Sequence, residues 1–324
     1  MGINIAKCRG QTYDNAFNMS GLFNGVRAHI EAVNALATYI PCAAHSLNLV
    51  GSSAANCCSA VRFFFDFVQK LYSFFSSSTQ RWGLLRKHFP SSIPVPKQLS
   101  DTRWARRVDA THALRMGYAG IRSVLEEMGK LSAQSTRTAA TSEALGLLNA
   151  LNQLETAILT VVWDTVLQRF GCTSKKLQSP TLDIDNACLL TKCLKEWVTS
   201  LRNRFSDFEA ESKSLLLSGT GYKRDQQRKR SLKVAIDKNP SSQTVCNDRE
   251  NFRIDVFTIL IDRLESDLEL RYNAYKNTCD TFGVLGQLHD GTDEEHMAGG
   301  KKLVELYKED LEPLFVDGLV NFPV

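Results

Sequence analysis

Only two short segments of this sequence have the pattern of β-strands, and both lie within its first forty residues. The first runs from about residue 3 to 13, and the second spans 37–40 and is broken by Pro41. A helical pattern follows each strand, near 20–33 and 42–58. This order is typical of an α/β fold, but two strands do not make an independently stable sheet. Residues 1–60 are therefore predicted to be part of an α/β domain.

From Ala60 onward the hydrophobic residues recur at helical spacing. In the most apolar stretch, 61–75, the strongest hydrophobic residues fall on one helical face, which Phe63, Phe67 and Phe74 widen. Charged residues interrupt this stretch, and it is shorter than the roughly 20 residues of a membrane span. We therefore expect a core helix and no membrane partner.

The predicted fold is mainly α. Beyond residue 60, we expect an all-helical region over 61–310, with mobile loops near 218–248 and 286–299 and a short tail over 311–324. The expected helices in this region are 60–77, 79–88, 104–130, 141–171, 186–217, 249–280 and 300–310.

The net charge and the cysteines limit the partners and the cellular compartment that fit this sequence. The net charge of +4 permits an anionic partner without requiring one, since nucleic-acid binding depends on local basic patches. The nine cysteines have no paired-knuckle spacing, and the amino terminus lacks the apolar core of a signal peptide. These features indicate reduced thiols and predict a nuclear or cytoplasmic protein.

Asp14 is the first candidate site residue, because it follows the first predicted strand. Open α/β sheets bind ligands and metals at the carboxyl ends of their strands. Alternatively, Asp14 and Asn15 form an Asx turn that starts the next helix. On the residues alone the turn is favoured, because one carboxylate does not make a magnesium site.

Cys42 and His45 form a second candidate. They are three residues apart and share a helical face. A structural zinc site needs four ligands, and no second pair has suitable spacing, so zinc is not expected. His45 can still line a site with Asp14, since the two residues would follow neighbouring strands.

A third candidate is an arginine-rich helix start. Arg103, Arg106 and Arg107 surround Trp104, a composition suited to phosphate contact and base stacking. The alternative is a capped helix with a core tryptophan and solvated arginines, which the residues alone favour. A basic run at 223–230 also fits either a nucleic-acid contact or a solvated loop.

Taken together, three segments in this order resemble the hAT transposase superfamily, and within it the zinc-finger MYM-type-like proteins. They are CRGQTYDNAFNMSG at 8–21, YIPCAAHSLNL at 39–49 and SDTRW at 100–104. The resemblance implies a ribonuclease-H-like core interrupted by a helical insertion. This chain would supply the carboxyl-terminal part of that core, with about two strands, followed by the insertion.

The resemblance also implies roles for the candidate residues. Such enzymes use three acids and two divalent metals, Mg²⁺ or Mn²⁺, to cut and join DNA. Asp14 matches the second acid, Cys42 and His45 match a Cys-x-x-His element beside the site, and Arg103-Trp104 matches an element whose tryptophan stacks on a flipped base.

The sequence departs from this family at the other two acids. The first acid is expected upstream of Met1 and the third beyond Val324, so Asp14 would hold a metal only if both were supplied. We therefore expect a transposase-derived remnant that retains DNA binding, holds no cofactor as it stands and does not cleave DNA alone.

Two other functions remain open from the sequence. One is a fragment of an active hAT transposase. The other is a helical module that binds protein partners without nucleic acid. The second rests on an apolar stripe near the end of the helical region, formed by Phe257, Ile261, Leu264, Leu268, Tyr272 and Tyr275.

Overall fold

The structure is a computed structural model that describes residues 4–89, 93–100, 104–130, 139–217, 221–222, 248–286, 288 and 291–321. Within these ranges the protein is mainly helical, as predicted, and contains two strands. The strands are β1 (Gly10–Gln11) and β2 (Thr38–Tyr39). A 3-10 turn, Ile5–Lys7, precedes β1.

The helices follow in chain order. The first five are α1 (Phe17–Ser20), α2 (Val26–Val33), α3 (Ala43–Ala54), α4 (Ser59–Ser76) and α5 (Thr79–His88). The next five are α6 (Trp104–Met116), α7 (Tyr118–Lys130), α8 (Ala139–Leu151), α9 (Leu154–Leu177) and α10 (Ile184–Leu201). The last are α11 (Phe205–Ser214), α12 (Asp248–Phe252), α13 (Ile259–Gly286), α14 (Asp293–Leu306) and α15 (Leu314–Val320).

The chain divides into two compact units. Unit 1 comprises Met1–Gly51, Arg169–Val198 and Leu264–Val324, and unit 2 comprises Ser52–Gln168 and Thr199–Arg263. The sequence predicts boundaries at residues 60 and 310. The first unit boundary instead follows Gly51, and the helical region contributes residues to both units.

In unit 1, the two strands pair in parallel. Gly10 lies opposite Thr38 and Gln11 opposite Tyr39. Two buried amide side chains hold this region: the Gln11 amide donates to the Ala37 carbonyl at 2.9 Å, and the Asn34 amide donates to the Cys8 carbonyl at 2.6 Å. These bonds satisfy backbone oxygens that the short ladder leaves unpaired. A larger ribonuclease-H-like sheet stays a prediction.

In unit 2, aromatic side chains fill the core. Trp163 on α9 is fully buried and meets the ring of Phe65 on α4 edge to face, with the ring centroids 4.9 Å apart. The predicted apolar face of α4 is buried, including Phe67 and Phe74, because it packs against the rest of the unit. Two members of the predicted face differ: Tyr72 is half-buried, and Phe63 is 68% exposed.

Three predicted helices are interrupted in the structure. The predicted helix 104–130 breaks at Gly117, where an added Cβ would overlap the ring of the buried Phe89. The helix 141–171 breaks near Asn152, whose Oδ1 accepts a hydrogen bond from Arg122 Nε at 3.0 Å. The helix 186–217 breaks between Leu201 and Phe205. The hydrophobic spacing continues across each break, so the pattern did not reveal it.

The loop predicted near 286–299 was wrong over most of its length. Helix α14 begins at Asp293, where Thr292 and Glu295 form a reciprocal capping box. Gly299 and Gly300 lie inside this helix. A Cβ on Gly299 would lie 2.7 Å from Val284 Cβ, and one on Gly300 would lie 3.0 Å from Leu319 Cδ1. These glycines allow close packing rather than a turn.

The predicted tail, 311–324, also contains structure. Helix α15 packs against α14 and buries Leu319. The predicted loop near 218–248 lies almost wholly outside the described residues, which include only Gly221, Tyr222 and Asp248 from it.

Residues 248–286 form a continuous helical run with a π-helical segment, Arg253–Thr258, between α12 and α13. The apolar stripe of this run faces the protein interior. Five of its six members are at most 2% exposed, namely Phe257, Ile261, Leu264, Leu268 and Tyr275. The stripe is therefore core, and it offers little surface to a protein partner.

Among the described residues, no single helix has both the length and the hydropathy of a membrane span. Helices α8 and α9 pass that test only as a pair, and they are bent by 71° relative to each other.

Candidate functional site

The parallel pairing in unit 1 brings the carboxyl ends of β1 and β2 to one edge. Backbone hydrogen bonds continue beyond the paired residues: Ile40 donates to the Gln11 carbonyl at 3.0 Å, and Cys42 donates to the Tyr13 carbonyl at 3.3 Å. Asp14 follows the first strand here, and Cys42 and His45 follow the second. Asp14 and the segment with Cys42 and His45 therefore follow neighbouring strands, as expected from the sequence.

Asp14 itself is exposed and forms an Asx turn. Its Oδ1 accepts a hydrogen bond from the Ala16 N–H at 3.3 Å, immediately before α1. This is the geometry that the residue types alone favoured. The carboxylate is thus engaged in local backbone structure at the edge of the sheet.

Asn15 links the two strand ends. Its Nδ2 donates to Ser46 Oγ on α3 at 2.8 Å, and its Oδ1 accepts from the Tyr39 hydroxyl at 3.0 Å. The Tyr39 ring stacks on Tyr13, with centroids 6.3 Å apart, and the Arg27 guanidinium lies 4.5 Å from its centroid. Burial raises the pKa of Tyr39, and the Arg27 charge opposes that shift. Tyr39 therefore stays a neutral hydrogen-bond donor.

A narrow pocket in unit 1 extends from Ser46 towards α13, where Arg271 and the buried Tyr275 line it. Burial raises the pKa of Tyr275 to about 12, although Ser46 and Arg271 both favour the phenolate. The other residues that line the pocket are largely apolar, namely Ala43, Leu47, Val50, Thr173, Leu177, Thr191, Leu194 and Leu268. A pocket of this kind suits side-chain packing better than a charged ligand.

The residues at the strand edge do not fit a divalent metal. Mg²⁺ and Mn²⁺ prefer several oxygen ligands, usually with more than one carboxylate. Asp14 accepts the Ala16 N–H, and the described ranges contain no group of three or more His, Cys, Asp or Glu side chains arranged to hold a metal.

The arginines at the start of α6 have different surroundings. Arg106 is exposed, whereas Arg107 is half-buried, with its guanidinium 4.8 Å from the centroid of the Phe65 ring. Arg103 lies outside the described residues. Trp104 is the first residue of α6, and its side chain also lies outside the description. The base-stacking role expected for Trp104 therefore stays a prediction.

Arg107 lines a polar cleft in unit 2 whose open volume is about 930 Å³. We name it the Arg62–Arg107 cleft. Its other lining residues come from α4, the turn before it and the segment before α6, namely Ala55, Asn56, Phe65, Asp66, Gln69, Gln98 and Leu99. The side-chain amide oxygen of Gln69, Oε1, accepts a hydrogen bond from the Leu99 N–H at 3.0 Å and so holds the segment before α6 against α4. Two guanidinium groups against one carboxylate give the cleft a net positive lining.

The residues that organise both places are not predicted as site residues from the sequence. Asn15, at the strand edge, is predicted only as part of a turn, and Arg62 is one of the charged residues that interrupt the apolar stretch 61–75. Arg62 lies one position after the buried Val61, so it projects from the exposed side of α4. The helical spacing predicts that exposure, but only the fold shows that Arg107 lines the same cleft as Arg62.

No known family model matches this sequence, and no solved structure matches the fold, so the candidate function rests on the residues of this chain.

Proposed function

We propose that this chain is a remnant of an hAT-type transposase that still binds nucleic acid and has an incomplete acidic site that does not cleave DNA on its own. The ancestry rests on the order of the three motifs at 8–21, 39–49 and 100–104. The parallel pairing of β1 and β2 supports it, because that pairing puts Asp14, Cys42 and the start of α3 with His45 at one sheet edge.

The state of Asp14 supports the proposed loss of cleavage. Two-metal DNA cleavage needs several carboxylates to hold ions about 4 Å apart. Asp14 is exposed and serves an Asx turn. In the described part of the chain, no second and third acid join it in a metal-binding group. A carboxylate in this setting caps backbone amides and does not organise metals.

The Arg62–Arg107 cleft is the observation that carries the nucleic-acid part of the proposal. Guanidinium groups bind phosphate oxygens with two parallel hydrogen bonds, and amide side chains can bind base edges. The cleft combines Arg62 and Arg107 with the amide side chains of Asn56 and Gln98. A single strand suits it better than a duplex, because unpaired bases expose their edges.

Binding of a fluorescently labelled single-stranded oligonucleotide tests this proposal. Fluorescence anisotropy at about 50 mM salt should detect binding that weakens steeply towards 200 mM. Arg62→Ala and Arg107→Ala should each weaken binding by about threefold to tenfold. Arg86→Ala removes the same charge from an exposed site on α5, outside the cleft, and is the matched control.

Two outcomes contradict the proposal. One is the absence of salt-sensitive binding in the intact chain. The other is equal loss in Arg86→Ala and in the two cleft variants, which would assign any affinity to general surface charge. Metal-dependent cleavage of plasmid DNA that is lost in Asp14→Ala would overturn the statement about catalysis.

A further inference from the structure

Asp66 is the one acidic residue among the described residues that line the Arg62–Arg107 cleft. It lies on α4 one helical turn after Arg62, a spacing at which an arginine and an aspartate can pair. Both side chains are exposed, and within the described ranges neither forms an ion pair or a hydrogen bond. The carboxylate of Asp66 therefore keeps both of its oxygens free for a ligand.

A free carboxylate in this position opposes the binding of phosphate. Other acids of unit 2 have partners inside the chain: Asp109 accepts from Lys97 Nζ at 2.8 Å, and Asp164 accepts from Arg115 Nη1 at 2.8 Å. Asp66 has no such structural role, and its charge repels an anion that enters the cleft. It strengthens binding only if the ligand brings hydrogen-bond donors as well as phosphates.

Among the nucleobases, guanine offers the donors that suit a carboxylate. Its Watson–Crick edge presents two adjacent N–H groups, on N1 and N2, which can donate in parallel to the two carboxylate oxygens. On the same edge, adenine, cytosine and thymine each present one donor group beside one or two acceptors, and a carboxylate repels those acceptors. The Watson–Crick edge is accessible only in an unpaired base, so the ligand is a single strand.

Gln98 can complete the recognition of the base. It lies in the segment before α6, lines the same cleft and is exposed. In the part of the chain that the structure describes, its side-chain amide has no hydrogen bond, so it can donate to O6, the acceptor beside N1 of guanine. The bond from the Leu99 N–H to Gln69 holds this segment against α4. A carboxylate and an amide thus match the two donors and the acceptor of guanine.

We propose that the Arg62–Arg107 cleft selects an unpaired guanine in a single strand, with the Asp66 carboxylate accepting hydrogen bonds from N1–H and N2–H. This assignment rests on the proposed nucleic-acid binding and adds a base preference to it. The two arginines contact phosphates and set the general affinity. Asp66 lowers the affinity for strands without guanine and raises it for strands that contain guanine.

Fluorescence anisotropy with matched strands of about ten nucleotides tests the assignment on the full chain. One strand contains only thymidine, the second has a single central deoxyguanosine, and the third has deoxyinosine there, which lacks the N2 amino group. Guanine should strengthen binding about fivefold or more over thymine, and inosine should lose most of that gain. A strand with 7-deazaguanosine keeps N1 and N2 and should bind like the guanosine strand.

Asp66→Asn distinguishes base recognition from a general effect of charge. The variant keeps the size of the side chain but loses one acceptor oxygen and the negative charge. It should bind the thymidine strand about twofold to threefold more tightly, because repulsion of phosphate is removed, and should prefer guanine by less than about twofold. Glu143→Gln removes the same charge from an exposed site on α8, outside the cleft, and should keep the preference for guanine.

Equal affinity for the guanosine and inosine strands would overturn the guanine assignment. A preference that survives in Asp66→Asn, or that is lost equally in Glu143→Gln, would also overturn it. These outcomes leave salt-sensitive binding of the thymidine strand, and thus the proposed function, in place. Absence of salt-sensitive binding to every strand would instead contradict the proposed function and the guanine assignment together.

Discussion

Arg9 and Asp310 form a two-pronged ion pair that joins positions 301 residues apart, with nitrogen–oxygen distances of 2.5 and 2.7 Å. The Arg9 guanidinium also donates to the carbonyls of Ala6 and Cys8, at 2.8 and 3.0 Å. It thereby holds the segment that leads into β1 against the turn after α14. The pair therefore links an early and a late segment of the sequence within unit 1.

Asp310→Asn should lower the thermal midpoint of unfolding. The Arg9 guanidinium lowers the pKa of the Asp310 carboxyl in the folded protein. A carboxylate with a lowered folded pKa stabilises the fold above its unfolded value, about 4, and this contribution is lost as pH falls through the folded value. The difference between the unmodified protein and Asp310→Asn, measured by circular dichroism, should thus be present at pH 7 and vanish in acid.

Glu31→Gln is the matched control. It removes a carboxylate from a local pair, since Arg27 Nε lies 2.7 Å from Glu31 Oε1 within α2. The two pairs are similarly exposed, but Arg27 and Glu31 are one helical turn apart and share a single hydrogen bond, so the midpoint should shift less than in Asp310→Asn. An equal shift in the two variants would show that the long-range pair has no special role.

Gly299→Ala should destabilise the protein although alanine favours helices. The new Cβ would lie 2.7 Å from Val284 Cβ, a branched atom that cannot rotate away. Overpacking of this kind costs about 1–3 kcal/mol, which exceeds the helix-propensity gain of up to about 1 kcal/mol. Chemical denaturation should therefore give a net loss in the free energy of unfolding.

Gly83→Ala makes the same chemical change where there is room. Gly83 lies on α5, and a Cβ there would meet nothing within 4 Å. This variant should be stabilised by up to about 1 kcal/mol. If both alanine variants shifted in the same direction, the close approach of α13 and α14 would not explain Gly299.

Glu209→Gln should weaken unit 2. The Glu209 carboxylate is buried and accepts from the Tyr222 hydroxyl at 2.8 Å and from Arg249 Nε at 2.9 Å. Burial raises the pKa of Glu209, but these hydrogen bonds outweigh it and leave the pKa lowered. Losing the charge should cost about 1–3 kcal/mol.

The loss of stability in Glu209→Gln should depend on pH, because the pKa of Glu209 is lowered in the folded protein. The contribution should be present above pH ~4.3 and should disappear as pH falls through the folded value. Glu143→Gln, at an exposed position on α8, is the control and should change stability by less than about 0.5 kcal/mol. Denaturation midpoints at neutral and acidic pH measure both effects.

The helical class and the two strands could be predicted because they depend on local spacing. The bounds of α4 and α5 differ from the predicted ones by one residue or less. The breaks at Gly117 and Asn152 could not be predicted, since each depends on a distant partner, Phe89 for the first and Arg122 for the second. The same holds for Gly299 and Gly300, whose role depends on Val284 and Leu319.

The candidate site was predictable to a similar extent. The sequence alone favoured an Asx turn at Asp14, and the hydrogen bond to Ala16 confirms that interpretation. It did not identify the partner of Asn15, because Ser46 lies 31 residues away. Nor did it pair Arg62 with Arg107, since a cleft between α4 and α6 is a property of helix packing.

Two variants, Asp14→Asn and Asp14→Ala, distinguish a role of Asp14 in the turn from a role in metal binding. Asparagine keeps the acceptor oxygen for the Ala16 N–H, whereas alanine removes it. Alanine should therefore cost about 0.5–1 kcal/mol, and asparagine close to nothing. Adding Mg²⁺ should leave the thermal midpoint of the unmodified chain unchanged, since one carboxylate binds it weakly. A magnesium-dependent rise that is absent in Asp14→Asn would show a metal site.

The salt dependence of oligonucleotide binding measures how many phosphates the cleft contacts. Each neutralised phosphate on a single strand contributes about −0.7 to the slope of log affinity against log salt. If Arg62 and Arg107 each contact one phosphate, replacing both by glutamine should make the slope shallower by about 1.4. Arg86→Gln should leave the slope unchanged, because that residue lies outside the cleft. A loss of affinity in the double variant without a change in slope would mean that the arginines shape the cleft around Phe65 rather than bind phosphate.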